Sequence, residues 1–507
     1  MMLVDLIDVL EEKVTYGPPA ERVEIRKIKT DSRCVERGDV FVAIRGTSVD
    51  GHDFVGDAIA AGAAAVITDT KVRAGGLANV VVGDTSKALS RLAARYFGDP
   101  SHKMFLCGIT GTNGKTSTAH MYRSIIEESG WGSMGIVGTL GHGVSGDLKK
   151  TPHTTPGPVE LHTLFRKMVD DGCNGVVMEV SSHAVRQHRV WGLDFDIGIL
   201  TNVTHDHLDY HKTIDDYRAA KREFCDSLTA SGRRRPAGKL VYSRDDEVAR
   251  RIGDRFDGEA IGVSVLDASG APDAGSEGVV DVVASDVEAT LGGTSFTLRI
   301  AGEGDVRVNM RLLGTFCAAN AVLAAGGARA TGVGIDAIRA GLERLDRIPG
   351  RFEAIGGAGK PVVIIDYSHT PDSMERVLQT CRELDPVRLV TVFGCGGDRD
   401  STKRPLMGRV AQKISDHVYV TMDNPRSEPV DAIIADILSG VDASAGGVEI
   451  ETDRGTAIHR AIEGAGADDV VVLLGKGIEE YQIVGDERLP FSDRDEAVDA
   501  LAHWRAR

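Results

Sequence analysis

Short apolar runs recur along the chain, and each is followed by a segment with helical spacing. In the first hundred residues "DVFVAI", "AAAVITD" and "NVVVGD" read as strands, and "SKALSRLAARYFG" as a helix. From Met104 the alternation repeats, with "GVVMEV" and "IGILTNV" apolar at consecutive positions. A strand without polar alternation is buried on both faces, so these runs predict a mostly parallel sheet with helices on both sides. "GTSFTLRI" and "DVRVNMRL" do alternate and predict a hairpin. "TFCAANAVLAAGGARA" predicts a helix, "DASGAPDAGSEG" (Asp267–Gly278) an exposed loop, and the opening "MMLVDLIDVLEEKV" an acidic amphipathic helix. "PVVIID", "RLVTVFG", "HVYVT" and "VVVLLG" predict a further parallel sheet near the end. Pro and Gly break the pattern at Pro100–Lys103 and at "RIPGRFE" (Arg347–Glu353). The expected fold is α/β with three domains, residues 1–102, 103–346 and 347–507, and no internal repeat.

The length of 507 residues agrees with about three domains at ~100–200 residues each. A net charge of −16 excludes nucleic acid and anionic membrane surfaces as general partners, so anionic ligands have to be met by local Arg and Lys. The seven cysteines are scattered with no C-x-x-C pair, which reads as reduced thiols in a cytoplasmic protein. The opening helix lacks the basic and long apolar regions of a signal peptide. No apolar run approaches the ~20 residues that span a bilayer.

Two stretches carry candidate chemistry. "KMFLCGITGTNGKTSTAHMYRSIIEE" has the order strand, glycine-rich turn, helix. Gly111 and Gly114 allow a tight turn whose amides face phosphate oxygens; Lys115 reaches terminal phosphates and Thr116 offers a hydroxyl to Mg²⁺. The helix start adds its positive end. The strict phosphate-loop pattern is not met, because Ile109 stands at the first glycine position. The second stretch is "TNVTHDHLDYH", which sets His205, Asp206, His207, Asp209 and His211 close together, downstream of Glu179 at the end of "VVME". A polar loop with satisfied histidines, a zinc hydrolase and a Mg²⁺-nucleotide site all remain open on this pattern. Tyr210 between Asp209 and His211 weighs against the hydrolase, and the phosphate loop upstream favours the nucleotide site. In "TIDDYRAAKREF", Thr213 can cap a helix that bears Lys221.

These segments together resemble the Mur ligase family, the ATP-dependent amide ligases of peptidoglycan synthesis, and most closely its MurE branch, which adds the third amino acid to UDP-N-acetylmuramoyl-L-Ala-D-Glu. The resemblance runs through "TDSRCVERGDVFVAIRGTSVDGHDF", "TGTNGKTS", "TPHTTPGPVELH", "EVSSHAVRQHRV", "TNVTHDHLDYH", "YRAAKREF", "RIPGRFE", "DYSHTPDSME", "FGCGGDRDSTKRPLMG", "DNPRSEP" and "GKGIEEYQ". It implies an N-terminal UDP-sugar domain, a central ATP-binding domain and a C-terminal Rossmann-like, amino-acid-binding domain. Ser32 would contact the UDP-sugar; Thr154, Thr155, Ser181, Gln187 and Arg189 would hold the muramoyl dipeptide. ATP would be held by Gly111, Thr112, Asn113, Gly114, Lys115, Thr116 and Ser117, with Asn320, Arg351, Asp366 and His369 facing the nucleotide. Thr116, Glu179, His207 and a carbamylated Lys221 would bind Mg²⁺, and Lys115, Glu179, His207 and Lys221 would form the catalytic set. The implied partners are small molecules only, and the implied state is a monomer.

"DNPR" bears on the amino acid. Pro425 stiffens the turn and Arg426 offers a forked guanidinium to a carboxylate, while Asp423 and Asn424 flank it. Diaminopimelate carries one carboxylate more than lysine, so Arg426 favours meso-diaminopimelate, and the family's diaminopimelate-type members share the motif. Arg399, Gly475 and Glu479 resemble the residues that grip its amino-acid end. One departure is "GKGIE", where Ile478 replaces the family's usual histidine. L-Lysine or another acceptor, a metal-dependent hydrolase and a non-catalytic nucleotide-binding protein are the competing readings.

Overall fold

The computed structural model describes residues 1–46, 49–144, 147–149, 153–204, 208–230, 235–266 and 281–506. They form two compact units. The first holds Met1–Val263 and Leu323–Val333; the second holds Val282–Val322 and Gly334–Arg507.

The first unit contains two sheets. The smaller orders its strands Lys13–Tyr16, Ala78–Val82, Ala65–Thr68, Val40–Val42, Ile28–Lys29; all are parallel except the first. Its strands are buried on both sides, Val40, Val42, Ile67 and Val80 against Leu6 and Leu92, and Phe41 and Val66 against Val55 and Ala58. The opening helix is shorter than its sequence predicts. It covers only Leu3–Ile7, and Lys13–Tyr16 is a strand. Val14, Thr15 and Tyr16 favour extended backbone, and pairing Lys13 with Val82 and Tyr16 with Asn79 outweighs continuing a helix through Glu11 and Glu12.

The larger sheet has six parallel strands in the order Met134–Gly138, Gly175–Glu179, Phe105–Thr110, Ile197–Leu200, Lys239–Ser243, Ala260–Val265. Helices Pro158–Asp170 and Ile214–Ser227 cover one face, where Phe165, Met168, Tyr217 and Phe224 pack on Leu106, Val176, Met178 and Leu240. Helix Lys115–Glu128 buries Tyr122, Ile125 and Ile126. The close approach of helix Phe316–Ala330 explains the paired glycines of "AAGGARA". A Cβ on Gly326 would lie 2.8 Å from Val241, and one on Gly327 2.9 Å from Ile199. Both faces are therefore covered, as the unbroken apolar strands require.

The second unit contains the predicted hairpin, Gly293–Ile300 against Gly304–Met310, extended by an unforeseen third strand, Val282–Thr290. Its main sheet runs Glu353–Gly356, Val362–Asp366, Val470–Leu474, Leu389–Phe393, His417–Val420, Val448–Ile450, parallel except at the first strand. Val362 and Ile364 face a core with Met374, Leu378, Met407 and Ile437; Val363 and Ile365 face Ile458, Ile462, Ala497 and Leu501. A small hairpin, Tyr481–Val484 with Glu487–Pro490, was also not foreseen. The predicted loop Asp267–Gly278 lies outside the described residues. Among the described residues no helix is long and apolar enough to cross a membrane.

His162, on the buried face of helix Pro158–Asp170, yields a stability prediction. Burial lowers its pKa to about 4, so the folded protein keeps the ring neutral where the unfolded chain protonates it near 6.5. Between these values the unfolded state binds more protons, so stability is complete above about pH 6.5 and is lost as pH falls toward 4. Between pH 7 and pH 5 the loss is about 2 kcal/mol. Urea unfolding at pH 7 and pH 5 should show a smaller drop for His162→Phe than for the parent; equal drops would remove His162 from the acid sensitivity.

Candidate active site

Apart from Ser32, the described site residues predicted in the first unit gather around the carboxyl ends of four adjacent parallel strands. These are Met134–Gly138, Gly175–Glu179, Phe105–Thr110 and Ile197–Leu200. Ligands bind at such edges because loops there converge and helices present their amino ends. The glycine-rich turn leaves Thr110 and enters helix Lys115–Glu128. Gly111 has φ 145° and Gly114 φ 82°. A Cβ on Gly111 would stand 1.9 Å from Thr201 Oγ1, so only glycine fits. The turn is tied to the neighbouring strand end: Thr112 N donates to Asn202 O at 2.8 Å, Asn113 N to Asn202 Oδ1 at 2.9 Å, and Thr201 Oγ1 to Asn113 O at 2.6 Å. Lys115 Nζ donates to Gly111 O and Thr112 O, each at 2.8 Å, which holds it over the turn. Ser117 lies half-buried in the first helical turn.

Glu179 is buried next to this turn, in register with Ile109. Thr116 Oγ1 donates to Glu179 Oε1 at 3.0 Å, Thr139 N to the same oxygen at 2.8 Å, and Thr139 Oγ1 to Oε2 at 3.2 Å. Thr154 Oγ1 lies 3.1 Å from Thr139 Oγ1. Thr155 Oγ1 donates to Glu179 O at 2.8 Å and accepts from Ser181 N at 3.1 Å. Ser181 caps the short helix Ser182–Arg186, and Arg189 just beyond donates to Gln187 Oε1 and to Thr155 O at 2.7 Å. Burial lowers the Arg189 guanidinium pKa against the pull of Tyr210 and Glu160. Ser32 lies apart from this cluster, half-buried in the turn Ser32–Cys34 capped by Asp31, and no described hydrogen bond joins it to the cluster.

Lys221 is fully buried on helix Ile214–Ser227, whose Thr213 cap accepts from Asp216 N as predicted. Its Nζ donates to Thr110 Oγ1 at 3.1 Å and to Gly111 O at 3.0 Å, at the root of the turn. One helical turn earlier, Tyr217 OH lies 2.8 Å from Thr112 Oγ1. His205, Asp206 and His207 fall outside the described residues. His211 is described and is not available as a metal ligand: its Nδ1 pairs with Asp216 Oδ2 and its Nε2 with Ser182 Oγ, each at 2.9 Å. The pairing with His211 holds the Asp216 carboxyl below its usual range. Among the described residues no three His, Cys, Asp or Glu come together as a metal cluster.

The second unit repeats the arrangement on its own sheet. Asp366, Gly475–Glu479, Gly394–Arg399 and Asp423–Arg426 follow four consecutive strands at their carboxyl ends. Asp366 accepts from Phe352 N and Ser368 N, each at 2.8 Å. Arg351 lies over the Tyr367 ring, His369 is exposed beside the same ring, and Asn320 is buried on helix Phe316–Ala330. Asn424 Nδ2 donates to Glu479 Oε2 at 2.8 Å, and the buried Lys476 reaches both residues. Asp423 is buried, which raises its carboxyl pKa against the pull of Arg454 and Lys476. Gly475, with φ 110°, passes so close that a Cβ would lie 2.6 Å from Asp423 Oδ2. Pro425 is buried, and Arg426, at φ 53°, donates through Nη1 to Gly397 O at 2.6 Å. Arg399 is exposed on the adjacent loop. Ile478 packs on the backbone turn at Gly350, where a Cβ would lie 2.7 Å from its Cγ2.

The sequence matches the Mur ligase family catalytic domain over residues 24–97, the Mur ligase middle domain over 109–328 and the Mur ligase glutamate ligase domain over 350–477. A UDP-N-acetylmuramoyl-L-alanyl-D-glutamate–2,6-diaminopimelate ligase from Bacillus cereus is 40% identical over 95% of each chain. The chain belongs to the Mur ligase family. The ligase of the same name from Ectopseudomonas mendocina is 41% identical over 96% of this chain and 98% of its own. A solved structure of a ligase with this name superposes with a TM-score of 0.70 at 29% identity, covering 99% of both chains. The α/β fold with its mostly parallel sheets is thus the Mur ligase fold.

Sequence reading missed Thr139, Asn202 and Tyr217, which support the cluster of the first unit, and Lys476, which supports that of the second. Asn202, Tyr217 and Lys476 stand inside quoted motifs and Thr139 outside them, but only the packing of the chain reveals what each side chain touches. The Gly111 contact carries a prediction. Gly111→Ala combines a disfavoured φ with a clash, and should lower the thermal unfolding temperature by about 5 °C. An unchanged melting curve would show that the turn yields.

Proposed function

We propose that this Mur ligase joins meso-2,6-diaminopimelate to UDP-N-acetylmuramoyl-L-Ala-D-Glu at the expense of ATP, as its diaminopimelate ligase relatives are named for doing. The carrying observation is Arg426. Its Nη1 is fixed by Gly397 O, while Nε and Nη2 donate to no protein acceptor among the described residues, leaving one edge of the fork for a ligand carboxylate. Lysine lacks the carboxylate that would meet it, and a site built for that group rejects an analogue without it. Asn424, Glu479 and Arg399 would grip the amino-acid end, with Gly475 and Asp423 shaping the pocket floor.

The turn Gly111–Ser117 would hold the ATP phosphates, with Asn320, Arg351, Asp366 and His369 directed to the nucleotide. Ser32 would take the UDP-sugar. Thr154, Thr155, Ser181, Gln187 and Arg189 would hold the dipeptide with its D-Glu carboxylate toward Lys115. That carboxylate is a poor electrophile, since its charge repels an amine and oxide leaves badly. Attack of its oxygen on the γ-phosphorus forms an acyl phosphate and releases ADP. The diaminopimelate amine then attacks the acyl carbon, the N–C bond forms, the C–O bond to phosphate breaks and phosphate leaves. Lys115 neutralises charge on the transferring group, so the chain contributes mainly position and electrostatics. The amine has to be neutral, which desolvation favours.

Thr116 and Glu179 suit a magnesium ion, because both offer oxygen and sit 3.0 Å apart beside the phosphate turn. His207 and a carbamylated Lys221 would complete the set; the ion would supply positive charge to the phosphates. A carbamate on Lys221 keeps one N–H for Thr110 Oγ1 or Gly111 O and gains two acceptor oxygens. The consumption of both His211 nitrogens weighs against the zinc hydrolase.

Phosphate release from ATP in the presence of the UDP-dipeptide should occur with meso-diaminopimelate and not with L-lysine. Release with lysine alone would keep the ligase and overturn the reading of Arg426. Lys221→Ala should lose about 10²-fold or more in kcat. Excess bicarbonate should not restore the variant, whereas a short-chain carboxylate should in part; full activity of the variant would remove the carbamate from the mechanism.

A further inference from the structure

Among the described residues the two largest fully buried side chains are arginines, Arg404 and Arg454. Arg454 is matched by Asp493 within the core. Arg404, in the first turn of helix Lys403–Ile414, is turned toward two loops instead. Its Nη2 donates to Gly396 O at 3.1 Å and to Glu428 Oε1 at 3.0 Å, and its Nη1 lies 2.9 Å from both Glu428 Oε2 and Asp436 Oδ2. Glu428 in turn accepts from Asp398 N. Asp398 closes the circuit, accepting from Ser427 N at 3.1 Å and Ser427 Oγ at 2.8 Å. The loops also meet directly, through Gly397 N to Asn424 O at 2.9 Å and Arg426 Nη1 to Gly397 O at 2.6 Å.

We propose that Arg404, acting through Glu428 and Asp398, is the positioning residue that sets the Gly396–Arg399 and Asn424–Glu428 loops and thereby aims Arg426 and Arg399 at the incoming amino acid. This deepens the proposed function and rests on its assignment of these loops to amino-acid binding. The circuit has the means to act this way. Arg426 and Asp398 both hold positive φ, 53° and 54°, backbone states that need external restraint. A Cβ on Gly397 would stand 1.9 Å from Pro425 O, so the loops are in backbone contact and cannot shift separately. A buried guanidinium with a fixed fork has one geometry in which its acceptors are all met. Pairing with Arg404 holds the Glu428 carboxyl below its ordinary range, and the Ser427 bonds do the same for Asp398, so both are anions at neutral pH. Lysine in place of Arg404 would keep the charge but lose the fork.

The test uses the full chain and compares Arg404→Lys, Glu428→Gln and Asp398→Asn. Asp398 is exposed, so its variant should fold and melt like the parent even if Arg404→Lys does not. Each variant is expected to raise KM for diaminopimelate about tenfold, with kcat and the KM values for ATP and the UDP-dipeptide within about twofold. Adding Asp398→Asn to Arg426→Ala should raise KM no further, because the aim of an absent guanidinium no longer matters. An unchanged amino-acid KM in Asp398→Asn, a parallel rise in all three KM values, or full additivity with Arg426→Ala would each overturn the positioning role. If the parent turns over lysine instead, the choice of diaminopimelate falls, while the same selective effect on the lysine KM still supports the circuit. Turnover with neither amino acid overturns both.

Discussion

A carboxylate taken out of water has to be met by donors, and in the first unit Glu179 is where that demand is concentrated. Its oxygens take Thr116 Oγ1, Thr139 N and Thr139 Oγ1, and its carbonyl takes Thr155 Oγ1. One residue therefore fixes the start of helix Lys115–Glu128, the end of strand Met134–Gly138 and Thr155. A Cβ on Gly138 would lie 2.4 Å from Glu179 Oε1, so even the neighbouring strand is built around this side chain.

The second unit meets the same demand with cations rather than anions. Arg454 is buried together with Asp493, Arg404 is buried against the partly exposed Glu428 and Asp436, and Lys476 is buried against Asn424 and Glu479. Breaking such a pair leaves a bare buried charge and is costly, so loop positions that depend on it are narrowly defined. Asp423 shows the strain in this design. It is buried with its carboxyl pKa raised, facing the cations Arg454 and Lys476 but also the anions Glu479 and Asp493, and only a glycine at 475 leaves room for it.

Much of this was legible in the chain. Unbroken apolar runs such as "GVVME" and "VVVLL" announced parallel strands, because only burial on both faces tolerates them. The tight turn between strand Phe105–Thr110 and helix Lys115–Glu128 was legible from the spacing of Gly111 and Gly114. That Thr116 meets Glu179 directly was not legible, because it depends on strand Gly175–Glu179 lying beside Phe105–Thr110. The opening helix was overextended because a strand added antiparallel to Ala78–Val82 depends on a partner far along the sequence. The strands Val282–Thr290 and Tyr481–Val484 were missed for the same reason.

The sequence by itself determined what depends on local residues: which segments are strands or helices, where glycine admits a positive φ, where a hydroxyl can cap a helix, and which motifs carry chemistry. Tertiary structure alone decided who meets whom. Nothing near His211 in the chain foretold that Ser182 would take its second nitrogen, and nothing in "KRPLMG" foretold that Arg404 would hold Gly396 and Glu428 together. Such contacts arise from strand order, which brings residues distant in sequence to one sheet edge. Strand order is set by the packing of whole faces rather than by any short pattern.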